Sequence, residues 1–167
     1  MLEINDDLFN HAGRHNALVI TTNNVIKSNG ELVMGAGIAL EATKRYPGIA
    51  RKFADEIKRS KMIDEACGEK SDDYNIACVR INNQPLIALQ TKRHWENPSP
   101  IDLVVQSCQL LFGFVNCYEQ ANENPDIDIK QVYMTRPGCG NGGLNWNYVK
   151  PLISFLDDRF IVCHKEK

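Results

Sequence analysis

Thr91-Lys92-Arg93-His94-Trp95 places an amine, a guanidinium and an imidazole side by side. A neighbouring cation and partial burial both favour loss of a lysine's proton, and a neutral amine is a nucleophile or a base. On that chemistry Lys92 is the candidate catalytic residue. His94 is a second candidate acid or base, or else a residue that stacks on Trp95. The competing reading of Lys92 is a surface cation that only neutralises phosphate. Two glycine loops supply the other half of a site. Gly35-Ala36-Gly37 and Gly138-Cys139-Gly140-Asn141-Gly142-Gly143 together hold six of the chain's 11 glycines. Such loops let backbone N–H groups approach an anion closely, and the dipole of a following helix favours negative charge there. Two of them can grip a diphosphate from both sides. No GKS or GKT follows either loop, and neither is a GxGxxG with an acid further on, which disfavours an ATPase or a dehydrogenase.

These residues need strands and helices to hold them. Leu2-Glu3-Ile4 starts a short strand, with Asp6-Asp7 at its end capping a helical turn at Leu8 and Phe9. Ala17-Leu18-Val19-Ile20 is a continuous apolar run, as in a strand buried on both faces, and it ends in Thr21-Thr22-Asn23-Asn24. The first glycine loop enters a helix carrying Ile38, Leu40 and Ala42 that stops at Tyr46-Pro47. A second helix runs from about Gly48 to Lys58, with Ile49, Phe53 and Ile57 at helical spacing. Ile76–Ile81 and Leu86–Gln90 read as a hairpin around Asn82-Asn83-Gln84-Pro85. Ser99 is the expected cap of a helix with Pro100 in its first turn and an apolar stripe through Val104, Cys108, Leu111 and Val115. Pro125 to Ile129 reads as a polar connection. Gln131–Met134 is a strand leading into the second glycine loop. Asn145 then caps a helix carrying Val149, Leu152, Ile153 and Leu156, and Phe160–Cys163 is the last strand. This alternation implies a three-layer α/β/α domain with a mixed, mostly parallel sheet, in which ligands bind beyond the carboxyl ends of the parallel strands. The polar strand ends are Asp6-Asp7, Thr22-Asn23, Gln90-Thr91-Lys92 and Thr135-Arg136.

The composition fits one globular domain of 167 residues, with 43% hydrophobic and 24% charged residues. A net charge of -2 gives no global basic field, so a long polyanion would need a local patch. No apolar run reads as a membrane span, and the acidic N-terminus does not read as a signal peptide. Six cysteines without CxxC spacing are expected to be reduced, mostly buried thiols of a cytoplasmic protein. The four histidines show no metal-ligand spacing, so no metal is expected.

Asn16–Asn23, Val33–Leu40 with Lys44-Arg45-Tyr46-Pro47, Thr91–Trp95 and Gly138–Leu144 together resemble the macrodomain family. Within it they are most similar to the branch holding the DNA ADP-ribosyl glycohydrolase antitoxins (the DarG type) and the terminal ADP-ribose protein glycohydrolases. The resemblance covers nearly the whole chain. It implies ADP-ribose as ligand, no cofactor, and hydrolysis of ADP-ribose from a modified macromolecule, with DNA among the candidates. Asp7 would then bind the adenine amino group and Asn23 the distal ribose. The backbone of Met34-Gly35-Ala36-Gly37 and of Gly138-Cys139-Gly140-Asn141-Gly142-Gly143 would cradle the diphosphate, and Leu8, Ile38, Thr91, Pro137 and Leu144 would also contact the ligand. Lys92 would be the catalytic lysine, with His94 beside it. Cys139 reads as a packing residue.

Three departures bear on this. Asn141 stands where protein-directed relatives carry an aspartate, and an amide is no base. Ala36 stands where antitoxin-type relatives carry a lysine. The stretch from Asn24 to Leu32 is longer than in those relatives, and is expected to form a lid over the distal ribose or to change the substrate. Two other readings are open: a non-catalytic ADP-ribose reader, and a phosphatase acting on ADP-ribose 1″-phosphate. A monomer is expected.

Overall fold

The computed structural model describes residues 1–69, 71–121 and 128–165, with the side chains of 119–121 left aside. Six strands form one sheet: β1 (Leu2–Asn5), β2 (Asn16–Thr22), β3 (Ile76–Ile81), β4 (Gln84–Gln90), β5 (Gln131–Thr135) and β6 (Phe160–His164). Their spatial order is β1-β6-β5-β2-β4-β3. Every pairing is parallel except β3 with β4, the hairpin read from sequence. Its turn is tighter than expected. Asn82 and Asn83 take φ of 50° and 64°, the two positive-φ positions of a two-residue hairpin turn, so Gln84 and Pro85 already belong to β4. Pro85 is tolerated because pairing with β2 begins only at Leu86.

The four helices are α1 (Gly37–Arg45), α2 (Ile49–Ala66), α3 (Ile101–Ala121) and α4 (Trp146–Leu152), with a short 3-10 turn at Leu8–His11. Alternate residues of each strand face opposite layers. Leu18 and Ile20 of β2 pack with Ala42, Ile49, Phe53 and Ile57 of α1 and α2. Ala17 and Val19 pack with Val104, Cys108, Leu111 and Val115 of α3 and with Val149 of α4. β4 is buried along its whole length, as its continuous apolar run requires. Each large side chain buried in these layers contributes about 1.5–3 kcal/mol.

Several elements depart from the sequence expectation. On α1 the buried residues are Ala39 and Ala42, while Ile38 is only partly buried. α2 continues past Lys58 to Ala66, although its last turns leave Met62 and Ile63 exposed. α4 is short: Leu152 is exposed, and Leu156 reaches the core from the turn that follows. Ser99 does not cap α3 through its hydroxyl; its Oγ is buried with no hydrogen-bond partner among the described residues. Part of the connection from Pro125 to Ile129 lies outside the described residues. By length and composition Ile101–Tyr118 of α3 is apolar enough to cross a membrane, contrary to the expectation of no such run. In this fold it is the stripe packed on β2 and β4. No disulfide is present among the described residues. Cys108 and Cys163 are buried, Cys78 and Cys139 half-buried, and Cys67 and Cys117 exposed, fewer buried thiols than expected.

Candidate functional site

The central strands β2 and β5 are neighbours, but their chains leave in opposite directions. β2 runs on to α1 on one face of the sheet and β5 runs on to α4 on the other. Such a switch point opens a crevice beyond the carboxyl ends of the strands. Both glycine loops are placed there by this topology. The crevice widens into a cleft of about 1100 Å³ lined by every one of the four polar strand ends expected from sequence. It extends from Asp7, after edge strand β1, to Lys92, after β4. Those strands are four steps apart, which at 4.7–4.9 Å per step sets a cleft roughly 19 Å long.

The first loop ends at the N-terminus of α1. Gly37 takes φ of 56°, and Ala36 offers no side-chain cap, so the first N–H groups of α1 are left to the cleft. A Cβ on Gly37 would lie 3.3 Å from the Asn141 side-chain nitrogen, so the two loops meet. In the second loop the glycines divide by role. A Cβ on Gly142 would lie 2.2 Å from Ser99 Oγ and 2.4 Å from the Gly138 carbonyl oxygen. Gly142 therefore serves packing against the start of α3, where its carbonyl accepts from Ser99 N–H at 2.9 Å. Gly140 is exposed, with open space where a Cβ would stand, and is the glycine available for close approach by a ligand.

Lys92 is positioned by a buried polar frame. The backbone N–H groups of Thr91 and Lys92 donate to the Thr22 carbonyl at 3.0 and 3.3 Å. Gln90, fully buried, accepts from Tyr74 and Asn75 N–H and donates to Asp73 and to the Lys92 carbonyl. Asp73 in turn binds Arg93 at 2.7 Å. Arg93 is thus engaged by a carboxylate, which offsets the like charge expected beside Lys92. The Lys92 amine reaches across to the second loop, donating to the Asn141 carbonyl at 2.7 Å and to the Trp95 carbonyl at 3.2 Å. His94 lies outside the cleft lining. It stacks on Trp95 with ring centroids 5.4 Å apart, and its Nδ1 accepts from Glu96 N–H at 3.3 Å.

At the other end Asp7 lines the cleft with both of its carboxylate oxygens already engaged. Its Oδ1 caps the 3-10 turn by accepting from Phe9 N–H at 2.9 Å, and its Oδ2 pairs with Lys165 at 2.7 Å. Lys165, with help from the Phe9 N–H, holds this carboxyl below its usual range. Asn23 is buried, donating to the Val33 carbonyl at 2.8 Å and accepting from Val25 N–H at 2.9 Å. Its amide thus fixes the entry to the first loop while lining the cleft. Leu8, Met34, Ile38, Thr91 and Leu144 also line it, whereas Pro137 and Gly143 do not. Residues 24–32 do not form a lid. They are pinned away from the cleft by Leu32 N–H to the Ala50 carbonyl at 3.0 Å and by Arg51 to the Asn29 carbonyl. Burial pushes the Cys139 thiol up to about 11 against the opposing pull of Arg136, which leaves it a poor nucleophile.

Sequence reasoning named Arg136 only as a polar strand end and missed Trp146, His164 and Lys165 as lining residues. Arg136 packs over the Trp146 ring, and both bind Glu3, at 3.2 and 3.0 Å. His164 has its Nδ1 buried without a partner among the described residues. His164 could have been found as the end of β6; the Glu3 contacts, 133 and 143 residues apart, left no local signal. No group of three or more His, Cys, Asp or Glu that could hold a metal occurs among the described residues.

No protein-family model matches the chain. It is similar to a DNA ADP-ribosyl transferase–DNA ADP-ribosyl glycohydrolase fusion protein of Thermosipho africanus, 27% identical over 137 residues, covering 72% of this chain and 31% of that protein. It is also similar to a DNA ADP-ribosyl glycohydrolase of Mycobacterium tuberculosis, 28% identical over 123 residues, covering 71% and 30%. The chain thus spans about a third of the length of these relatives. Among solved structures, the macrodomain of Thermus aquaticus DarG superposes with a TM-score of 0.69 at 22% identity, covering 99% of this chain and 97% of that one. The macrodomain of M. tuberculosis DarG gives 0.65 at 26% identity with the same coverage. Thermosipho africanus DarTG in complex with ADP-ribose gives 0.65 at 25% identity, covering 96% of this chain and 40% of that one.

Proposed function

We propose that this chain, a macrodomain similar to those of DarG proteins, binds ADP-ribose and hydrolyses it from ADP-ribosylated DNA. The observation that carries the proposal is the placement of Lys92. Its amine stands across from the second glycine loop at the end of the cleft remote from Asp7. An ADP-ribose with its diphosphate between Gly35–Gly37 and Gly140–Asn141, and its adenine toward Asp7, directs its distal ribose to Lys92.

Two of the Lys92 N–H bonds are satisfied by the Asn141 and Trp95 carbonyls, which leaves the third position on the nitrogen to the cleft that Lys92 lines. Once the proton there has passed to solvent, that position carries a lone pair. The lone pair attacks the anomeric carbon as the bond from that carbon to the base breaks, and the leaving base takes a proton from solvent water. A second water then displaces the amine and gives its proton back to solvent, yielding free ADP-ribose and the unmodified base. Alternatively the same lone pair takes a proton from the attacking water. Asn141 presents its backbone oxygen to Lys92 and has no carboxylate to act in place of the amine.

The test offers ADP-ribosylated DNA, ADP-ribosylated protein and ADP-ribose 1″-phosphate in parallel to the wild type and to Lys92→Ala. ADP-ribose released from DNA by the wild type alone is the expected result. Phosphate release from the small molecule alone would establish the phosphatase reading. Tight ADP-ribose binding with no product from any of the three would establish a reader.

A further inference from the structure

Trp95 is the aromatic residue at the Lys92 end of the cleft, and nothing above assigns it a task beyond its backbone carbonyl. Trp95 lines the cleft and is 49% exposed, unusual for so large an apolar residue. It is nonetheless held. His94 braces it with ring planes 30° apart, and Glu96 N–H fixes His94 in turn. A turn closed by Asn97 N–H to the His94 carbonyl at 3.2 Å holds this segment. Its carbonyl accepts from the Lys92 amine at 3.2 Å, so the indole is tied to the group proposed to act at the anomeric carbon. A flat, braced and exposed ring beside a glycosidic bond suits a flat leaving group.

We propose that Trp95 is the specificity residue for that leaving group, stacking on the nucleobase joined to the distal ribose. The proposal rests on the function proposed above and narrows its substrate to a base lifted out of its neighbours' stack. Both faces of a base within a duplex are already covered, so the indole can stack only on a base in single-stranded or locally opened DNA. The stack also aligns the base for departure from the carbon facing Lys92.

The experiment measures, by calorimetry, binding of free ADP-ribose and of a short oligonucleotide ADP-ribosylated on one base, in single-stranded and duplex form. The native indole, Trp95→Phe and Trp95→Ala are compared, each in a Lys92→Arg background that slows turnover and keeps donors for the Asn141 and Trp95 carbonyls. Every Trp95 variant keeps the backbone carbonyl. The wild-type indole is expected to make single-stranded DNA bind more tightly than free ADP-ribose. Trp95→Ala should lose roughly 5- to 150-fold of that affinity, the range for losing one stacked base, and Trp95→Phe should keep most of it. Free ADP-ribose should bind all three within about twofold, since only a base contact is removed. Unchanged DNA affinity in Trp95→Ala, an equal loss for free ADP-ribose, or duplex binding as tight as single-stranded binding overturns the inference while leaving ADP-ribose binding in place. Absence of ADP-ribose binding in the protein with Trp95 intact overturns the proposed function and this inference together.

Discussion

The side-chain nitrogen of Lys92 lies 2.7 Å from the backbone oxygen of Asn141, joining two segments 49 residues apart. One segment leaves β4 and the other leaves β5, with β2 between them. The contact spans the end of the cleft at which the distal ribose is placed by the proposal. It gives Lys92 a structural duty, holding the second glycine loop, in addition to its proposed chemical one.

The two duties separate in binding measurements. Lys92→Arg keeps N–H donors for the Asn141 and Trp95 carbonyls, so its ADP-ribose affinity should stay within about threefold of wild type. Lys92→Ala removes the tether and exposes two carbonyls to water. Its affinity should fall further than that of Lys92→Arg, by up to about tenfold. Calorimetric titration with ADP-ribose checks this; equal affinities for the two variants would show that the tether does not shape the loop.

The second glycine loop should respond differently at two of its glycines. Gly142→Ala drives a methyl group into Ser99 Oγ and the Gly138 carbonyl. It should cost about 1–3 kcal/mol of stability, seen as a lowered Tm. Gly140→Ala points into open space and should fold with an unchanged Tm. On the proposed diphosphate placement it should nonetheless weaken ADP-ribose binding by about tenfold, by blocking close backbone approach.

Acid stability should depend on Glu3. Its carboxyl is held below the usual glutamate range chiefly by the Lys150 side chain, with Trp146 and Arg136 adding to this. A depressed carboxylate stabilises the fold fully above its unfolded value, and that stabilisation is lost as pH falls through the folded value. Thermal melts should therefore lose Tm as pH drops through and below about 4.5, the ordinary glutamate range. Glu3→Gln should melt lower at neutral pH and lose less on acidification; a parallel pH profile for the two proteins would remove Glu3 from the account.

The framework of the site was legible because its signals are local. The apolar run of β2, the stripe on α3 and the two glycine clusters each state their structure within a few residues. Asp7 as a cap was legible for the same reason: a carboxylate just before Leu8-Phe9 has its N–H donors two residues away. What sequence concealed depends on distant partners. Arg93 looked like a cation crowding Lys92, but it is paired with Asp73, 20 residues upstream. Ser99 had the type and position of a cap, yet the close approach of Gly142 takes its place in the packing. The Asn24–Leu32 stretch read as a lid because loop length carries no direction, and its anchors, Ala50 and Arg51, sit on the helix after next. The longer α2 was hidden by a charged, exposed last third that shows little apolar periodicity.

Single-turnover release of ADP-ribose from base-modified single-stranded DNA, compared between wild type and Lys92→Arg, tests the central claim most directly. Arginine holds the two carbonyls but does not give up its proton, so it supplies neither a nucleophile nor a base. The wild type should release ADP-ribose, and Lys92→Arg should be slower by a factor on the order of 10² to 10⁴ with near-normal affinity. Release at equal rates by the two proteins would contradict a catalytic role for Lys92, and no release by the wild type would contradict the hydrolase itself.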